Sequence, residues 1–132
     1  MRKVVGAVIL RDRRVFLLRK RAKSSGKLWL FPGGVIKDGE TPEKGLLREL
    51  KEELNCDVVS GSMEKIGEFE GPGVPSDPCV HLTCFLVKLR GCPQLNLEHD
   101  DCVYVGSGEV WRYEITGATR LCLEALKAEG LW

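Results

Sequence analysis

The sequence predicts a mixed α/β (α+β) fold in which a mixed β-sheet is packed between helices. Apolar, β-branched runs indicate strands near the start of the chain and again through its second half. Between these groups lies a glycine-rich loop that leads into a helix, and a second helical segment closes the chain. With 132 residues and 43% hydrophobic content, the chain is expected to form one domain with one core, spanning residues 1–132.

The first two strands are predicted at residues 4–10 and 15–19, on either side of a charged turn. The first run is continuously apolar, as in a strand covered on both faces, and the two runs are expected to pair as a hairpin. A short strand at residues 28–31 precedes Pro32-Gly33-Gly34, where the backbone can turn tightly and approach a ligand closely.

The helix after the glycine loop has a well-marked beginning. Thr41 is a natural N-cap, and Pro42 suits the first helical position because the N–H that it lacks would be unpaired there. With roughly 100° between successive side chains, one arc of the helix is apolar and is expected to face the core. This predicted buried stripe contains Leu46, Leu47, Leu50 and Leu54.

A neighbouring arc of the same helix carries three carboxylates, Glu49, Glu52 and Glu53. Crowded like charges repel one another, and Arg48 supplies only one positive charge. A divalent metal would balance the rest, and a set of carboxylates without His or Cys favours Mg²⁺ or Mn²⁺ over zinc. The alternative is a solvated helix surface with i,i+4 ion pairs, which is the interpretation preferred for Lys51.

The glycine loop and the helix together resemble the Nudix box, G-x5-E-x7-R-E-U-x-E-E-x-G-U, in which U is a bulky aliphatic residue. All six fixed residues up to the last glutamate match: Gly34, Glu40, Arg48, Glu49, Glu52 and Glu53. The final glycine of the box is Asn55 here, and the last aliphatic is Cys56. Asn tolerates the left-handed conformation of a helix C-terminus, so the departure is expected to be structurally conservative.

The resemblance implies a Nudix-type α/β/α sandwich and the hydrolysis of a nucleoside diphosphate linked to another group, X. It also implies Mg²⁺ (or Mn²⁺) bound by Glu49, Glu52 and Glu53, together with the backbone carbonyl of Gly34. Arg48 is expected to orient a carboxylate, most plausibly Glu52, and Glu49 or Glu53 is expected to be the general base.

Two further contacts are predicted outside the box. Arg21 stands where MutT-like Nudix proteins carry an arginine before an alanine, so it is the preferred phosphate contact; the alternative is a solvated basic loop. In the same proteins a glutamate six residues before a tryptophan approaches the metal. Glu98 has this spacing to Tyr104 and is a predicted metal ligand, with a solvated turn as the alternative. Glu40 is expected to be supportive rather than catalytic.

The second half of the chain carries the remaining elements. Further strands are expected at residues 58–69 (one strand or two), 80–89 and 102–105. The closing helix is predicted at residues 119–128, with Leu121, Ala125 and Leu126 facing inward. Trp29 is expected in the core and His81 in a strand rather than among ligands.

Composition argues against several classes of function. The net charge of +1 gives no global field for nucleic acid or an anionic membrane, and no apolar run approaches a membrane span. The six cysteines are scattered without a C-x-x-C pair, which favours reduced thiols in a cytoplasmic protein. The expected partner is therefore a small nucleotide, with neither stable nucleic-acid binding nor membrane binding. A homodimer is a possible assembly, since small Nudix proteins are often dimers.

Among the substrates of the family, the shortness of the chain and the MutT-like features favour a (deoxy)nucleoside triphosphate or an oxidised dNTP, cut to a monophosphate and pyrophosphate. ADP-ribose or a dinucleoside polyphosphate is the enzymatic alternative. A non-catalytic nucleotide sensor is a second alternative, but it would be expected to have lost part of the glutamate set.

Overall fold

A computed structural model describes residues 1–20, 28–74, 77–95 and 99–132. Its strands are β1 (Arg2–Val8), β2 (Leu10–Arg11), β3 (Arg14–Lys20), β4 (Trp29–Leu30), β5 (Gly33–Val35), β6 (Asp57–Val58), β7 (Glu64–Gly71), β8 (Val80–Leu86), β9 (Leu89–Arg90) and β10 (His99–Val105). Its helices are α1 (Pro42–Leu54) and α2 (Gly117–Ala128), with a 3₁₀ turn at Val110–Arg112.

The strands form two main sheets rather than one. The first sheet has the order β5-β1-β8-β7, in which β1 and β8 run parallel and the other neighbours antiparallel. The second has the order β10-β3-β2, with β4 added to β3, and a small ladder joins β6 to β9. The predicted mixture of parallel and antiparallel pairing is therefore confirmed. The sequence predicted one sheet, however, and did not predict the division into two.

The predicted hairpin is wrong in its first strand. The apolar run at residues 4–10 is divided between β1, which pairs with β5 and β8, and β2, which pairs with β3. The chain passes from one sheet to the other at Ile9. A continuous β-branched run carries no signal for such a passage, because its side chains are buried on both sides of the break.

Side chains from both sheets alternate between two cores, one beneath each helix. Val5 and Ala7 pack with the leucines of α1, whereas Val8 and Leu82 pack with α2. This arrangement confirms the α/β/α sandwich. Trp29 lies in the core beside α2, as predicted, with 8% of its surface exposed.

Each helix departs from its predicted buried stripe at one leucine. In α1, Leu46, Leu50 and Leu54 are fully buried, but Leu47 is 45% exposed because it lies at the edge of the apolar arc. In α2, Leu121 is 41% exposed. Leu126 is buried, as predicted, and Ala125 is half-buried. Cys122 and Leu123 are the further buried residues at the centre of α2.

The remaining elements follow the predictions with shifted ends. The segment at residues 58–69 forms two strands, β6 and β7, and the strand predicted at residues 80–89 is divided into β8 and β9. His81 lies in β8, as expected. No helix in the described part of the chain is long and apolar enough to cross a membrane.

Candidate active site

Helix α1 carries most of the predicted site, and both of its ends are fixed by local chemistry. The Thr41 side chain accepts a hydrogen bond from the Lys44 N–H at 3.2 Å, and Pro42 occupies the first turn. Asn55 ends the helix in the left-handed conformation, with φ of 52°. The predicted N-cap is therefore confirmed, and so is the prediction that Asn55 takes the left-handed conformation that the glycine of the box would take.

Glu53 is held in place from outside its helix. Its side chain is buried, and its Oε1 accepts a hydrogen bond from the Gly33 N–H at 2.7 Å. Gly33 has a φ of +148°, and a Cβ at this position would lie 1.9 Å from the Val5 carbonyl oxygen. Only glycine can therefore bring this N–H to the carboxylate while β5 pairs with β1.

Gly34 lies against Glu49. A Cβ at residue 34 would lie 2.5 Å from both the carboxyl carbon and Oε1 of Glu49. The glycine of the box thus leaves the space that the Glu49 carboxylate occupies. The Gly34 carbonyl group lies in β5, and the preceding residue of this strand, Gly33, donates its N–H to Glu53.

Arg48 connects the loop before α1 to one of the carboxylates. Its Nε and Nη2 donate to the two carboxylate oxygens of Glu40 at 2.8 and 3.0 Å, which is a bidentate pair. Nη1 donates to Glu49 Oε1 at 3.0 Å, and Nη2 also donates to the Val35 carbonyl oxygen at 3.0 Å. The contacts to Glu52 are longer, at 3.4 and 3.5 Å.

The predicted contact between Arg48 and Glu52 is therefore present, but it is longer than the contacts of Arg48 with Glu40 and Glu49. Arg48 orients Glu49 and is itself oriented by Glu40, whereas Glu52 is its weakest contact. Sequence spacing favoured Glu52 because it lies one helical turn away, but Glu40 comes within reach only after the chain folds back over α1. This geometry gives Glu40 the supporting position that the sequence predicted.

The same contacts shift the pKa values of the pair. The hydrogen bonds from Arg48 and then from the Lys37 N–H lower the pKa of Glu40 from 4.5 to about 2. Glu40 in turn raises the pKa of Arg48 above its usual value. Both groups therefore remain charged at neutral pH, and Arg48 keeps a positive charge beside Glu49.

The predicted metal ligands are only partly brought together. Glu49 and Glu53 both line a cavity between the first sheet and α2, whereas 55% of the Glu52 side chain is exposed. Within residues 1–20, 28–74, 77–95 and 99–132, no three His, Cys, Asp or Glu side chains converge as a metal-binding group. Arg21 and Glu98 lie outside the described residues.

The donor set nevertheless fits a hard divalent cation. Glu49, Glu52 and Glu53 offer carboxylate oxygens from one helix, and the space at Gly34 that a Cβ would fill leaves its backbone close to Glu49. Nitrogen and sulfur ligands are absent from this set, which agrees with Mg²⁺ or Mn²⁺ rather than zinc.

A cavity of about 270 Å³ opens beside Glu49 and Glu53, between the first sheet and α2. Its walls are largely apolar and include Val4, Phe31, Val74 and Leu82. A cavity of this kind beside charged groups is a common form of ligand site.

Sequence reasoning did not identify the polar groups of this cavity. The Thr116 hydroxyl donates to Thr119 Oγ1 at 2.8 Å, and both residues are buried. At the other side Arg2 forms an ion pair with Asp77 at 3.4 Å. Thr116 precedes α2 as an N-cap residue would, which was the available sequence signal, but its hydroxyl turns to Thr119 instead of a backbone N–H.

Comparison with known proteins agrees with this geometry. The NUDIX domain model matches residues 1–116. The chain belongs to the Nudix family. The Nudix resemblance of the glycine loop and α1 is thereby confirmed, and the chain is a Nudix hydrolase whose relatives are named pyrophosphohydrolases and diphosphatases.

Two relatives of this Nudix hydrolase are informative. The CTP pyrophosphohydrolase of Escherichia coli (strain K12) is 32% identical over 130 residues, which cover 97% of this chain and 93% of that protein. The 8-oxo-dGTP diphosphatase of Proteus vulgaris is 46% identical over 55 residues. That match covers 41% of this chain and spans about half (49%) of the relative.

Solved structures share the whole fold. The solution structure of the E. coli ORF135 protein superposes with a TM-score of 0.79 at 32% identity, covering 97% of this chain and 89% of that one. The MutT NUDIX hydrolase from Burkholderia pseudomallei gives a TM-score of 0.82 at 23% identity, covering 95% and 97%. The second likeness shows the fold alone.

Proposed function

We propose that this Nudix hydrolase cleaves a nucleoside diphosphate linked to X, and that the preferred substrate is a (deoxy)nucleoside triphosphate or an oxidised dNTP. The products would be a nucleoside monophosphate and pyrophosphate. The observation that carries the proposal is the position of Glu49 and Glu53, which line the same cavity as Gly33 and Gly34. This chain is similar to a CTP pyrophosphohydrolase over nearly its full length. That similarity supports a nucleoside triphosphate as the substrate, rather than a nucleoside diphosphate linked to some other group.

The cavity has a chemistry that suits a nucleoside. Apolar walls such as Phe31 and Leu82 can enclose a base, and the hydroxyls of Thr116 and Thr119 can donate to or accept from its edge. The phosphates would then extend toward Glu49 and Glu53. Arg21, which follows β3 in the sequence, is proposed as a phosphate contact, in keeping with its place in MutT-like proteins.

The carboxylates have separate tasks in this proposal. Glu49, Glu52 and Glu53 would hold Mg²⁺ or Mn²⁺ together with the Gly34 carbonyl and Glu98. Such an ion supplies positive charge to phosphate oxygens and lowers the pKa of bound water. Arg48 fixes the Glu49 carboxylate, and the Gly33 N–H fixes that of Glu53.

The reaction requires water to attack phosphorus while the phosphoanhydride P–O bond breaks toward pyrophosphate. The water must lose a proton, and Glu49 or Glu53 would accept it. The Glu49 carboxylate accepts a hydrogen bond from Arg48 Nη1 at 3.0 Å. Glu53 is buried beside the same cavity, and its Oε1 accepts a hydrogen bond from the Gly33 N–H at 2.7 Å.

The free thiols support a cytoplasmic location for this protein. All six cysteines are unbonded, three of them buried, as is usual in a reducing compartment.

The test is release of phosphate or pyrophosphate from CTP, dCTP, the other nucleoside triphosphates, 8-oxo-dGTP, ADP-ribose and diadenosine polyphosphates, with Mg²⁺ and with EDTA. Metal-dependent turnover of triphosphates is the expected result. Faster turnover of ADP-ribose or a dinucleoside polyphosphate would move the assignment to those substrates. Nucleotide binding without any turnover would identify a sensor instead.

Two variants test the carboxylates themselves. Glu53→Gln keeps an oxygen that can accept from the Gly33 N–H, and Glu52→Gln changes an exposed side chain, so both proteins are expected to fold. Each should lower kcat by about 100-fold or more if the residue binds the metal. Glu124→Gln on the exposed face of α2 is the matched control and should keep normal turnover. Near-normal activity of Glu52→Gln and Glu53→Gln would refute the metal assignment.

A further inference from the structure

Two charged side chains of the cavity have fixed hydrogen-bonding polarities. Arg2 Nε and Asp77 Oδ1 form an ion pair at 3.4 Å, and both residues line the cavity beside the candidate carboxylates. A guanidinium only donates hydrogen bonds and an ionised carboxylate only accepts them, whereas the hydroxyls of Thr116 and Thr119 can do either. The ion pair can therefore distinguish one base from another better than the two hydroxyls can.

Backbone hydrogen bonds hold Asp77 in position. Its N–H donates to the Val74 carbonyl oxygen at 2.7 Å, and its carbonyl oxygen accepts from the Gly73 N–H at 3.0 Å. The same loop is joined to the first turn of α2, because the Ala118 N–H donates to the Pro72 carbonyl oxygen at 2.9 Å. A group placed by such contacts needs little ordering when a ligand binds.

The Asp77 carboxylate has unused capacity to accept hydrogen bonds. Only 20% of its side chain is exposed, and its contact with Arg2 is longer than the usual distance of about 2.7–2.9 Å between charged partners. Among residues 1–20, 28–74, 77–95 and 99–132, this contact is the only polar interaction of the carboxylate. Since a carboxylate has about four acceptor sites, Asp77 can accept further hydrogen bonds from a molecule in the cavity.

The ion pair lies at a suitable distance from the candidate carboxylates. Arg2 begins β1, three residues before Val5, and Val5 is the register partner of Gly34. At about 3.3 Å per residue, Arg2 is roughly 10 Å along the strand from the level of Gly34. A nucleoside whose 5′ phosphate lies near Gly34 would therefore extend its base, beyond the ribose, toward Arg2 and Asp77.

An acceptor beside a donor matches one kind of base edge. Cytosine and adenine both carry an exocyclic amino group, which donates, next to an unprotonated ring nitrogen, which accepts. Asp77 can accept from the amino group while Arg2 donates to the ring nitrogen. Uracil, thymine and hypoxanthine have a carbonyl oxygen next to a ring N–H, so both polarities are reversed. Guanine has a ring N–H beside its amino group, so a donor would face Arg2.

We propose that Asp77 and Arg2 are specificity-determining residues, which select a nucleotide of cytosine or adenine through the amino group and the adjacent ring nitrogen of its base. The proposal rests on the proposed function, because it places the phosphates at the candidate carboxylates. A base of reversed polarity would leave the enclosed Asp77 carboxylate unpaired, which is a strong basis for discrimination. We expect kcat/KM to be higher by about 100-fold for CTP than for UTP, and likewise for ATP than for ITP.

The test measures kcat and KM of the parent and of Asp77→Asn with these two pairs of triphosphates and Mg²⁺, and the pair that is hydrolysed faster decides. An asparagine amide can both accept and donate, so Asp77→Asn should reduce the preference for the amino-bearing base by about 10- to 100-fold. Arg2→Gln should reduce it as well. The changes should appear mainly in KM, with kcat for the preferred substrate nearly unchanged, because the candidate carboxylates are not altered.

Two ion-paired residues outside the cavity provide matched controls. Asp57 is paired with Lys51 at 3.5 Å, and Arg14 with Glu109 at 3.9 Å, all through exposed side chains. Asp57→Asn and Arg14→Gln should therefore keep the base preference of the parent. The thermal midpoints of all four variants show whether each is folded.

Binding of nucleoside monophosphates separates this inference from the proposed function. CMP against UMP, and AMP against IMP, are compared by titration calorimetry in EDTA; none has a phosphoanhydride bond to cleave. Hydrolysis of triphosphates without the expected preference, or a preference that folded Asp77→Asn retains, would overturn the inference and leave the proposed function standing. Absence of hydrolysis for every nucleotide would overturn the proposed function, and the inference would then stand only if CMP binds more tightly than UMP or AMP more tightly than IMP.

Discussion

Replacing Gly34 with alanine gives the sharpest test of the candidate site. The new Cβ would lie 2.5 Å from the carboxyl carbon of Glu49, whereas ordinary contacts of this kind are 3.4–4 Å. The Glu49 carboxylate must therefore move by about 1 Å, away from the position in which Arg48 holds it at 3.0 Å. A displacement of that size at a reacting centre can lower the rate by about 100-fold. We expect Gly34→Ala to lose about this much kcat.

The assay measures pyrophosphate release from the best substrate, with Mn²⁺ affinity and the thermal midpoint measured on the same preparation. Gly108→Ala is the control, because a Cβ there meets no atom within 4 Å. Gly34 has no positive φ that would strain alanine, so the variant should fold with a similar thermal midpoint. If folded Gly34→Ala kept kcat within threefold of the parent, the position of Glu49 would not matter for turnover and the reasoning would be refuted.

Three other changes test separate parts of the structure. Arg48→Lys cannot reproduce the forked contacts to Glu40 and should lower kcat by about 10- to 100-fold; unchanged turnover would show that charge alone suffices. Asn55→Gly should leave the free energy of unfolding nearly unchanged, whereas Asn55→Ala should lose about 1 kcal/mol in urea denaturation because its φ is 52°; equal losses would contradict the cap assignment. Glu68 and then Glu70 raise the pKa of His81, so this residue stabilises the fold fully below pH 6.5, and its contribution is lost as pH rises through the raised value. The thermal midpoint difference between the parent and His81→Gln should therefore shrink from pH 6 to pH 9, and a constant difference would rule out the ionic contribution.

Local chemistry made α1 predictable from sequence. Thr41, Pro42 and Asn55 act on backbone groups within a few residues, so their effects do not depend on the rest of the fold. Leu47 and Leu121 show the limit of the same reasoning. Helical periodicity identifies an apolar arc but not how far the neighbouring sheet extends beneath it, and both residues lie past that edge.

Long-range contacts made the site only partly predictable. The spacing of the box identifies which residues belong together, but not the hydrogen bonds from Gly33 to Glu53 and from Arg48 to Glu40. Both bonds need chain segments that folding brings together from outside the helix. The cavity groups Thr116 and Thr119 were missed for the same reason, since nothing near them in sequence marks a ligand site.

The adjacent glycines of β5 have different physical tasks, because a Cβ would meet different groups at the two positions. Gly33 is required by its own backbone, because a Cβ would collide with the Val5 carbonyl whatever lay in the site. Gly34 is required by its neighbour, because the three atoms nearest to a Cβ at this position all belong to the Glu49 side chain, which can move. Substitution at Gly33 should therefore impair the sheet and folding, whereas substitution at Gly34 should impair turnover in a folded protein. Two consecutive residues of the site therefore affect different properties of the protein. Measured side by side, Gly33→Ala should lower the thermal midpoint, whereas Gly34→Ala should lower kcat with a similar thermal midpoint.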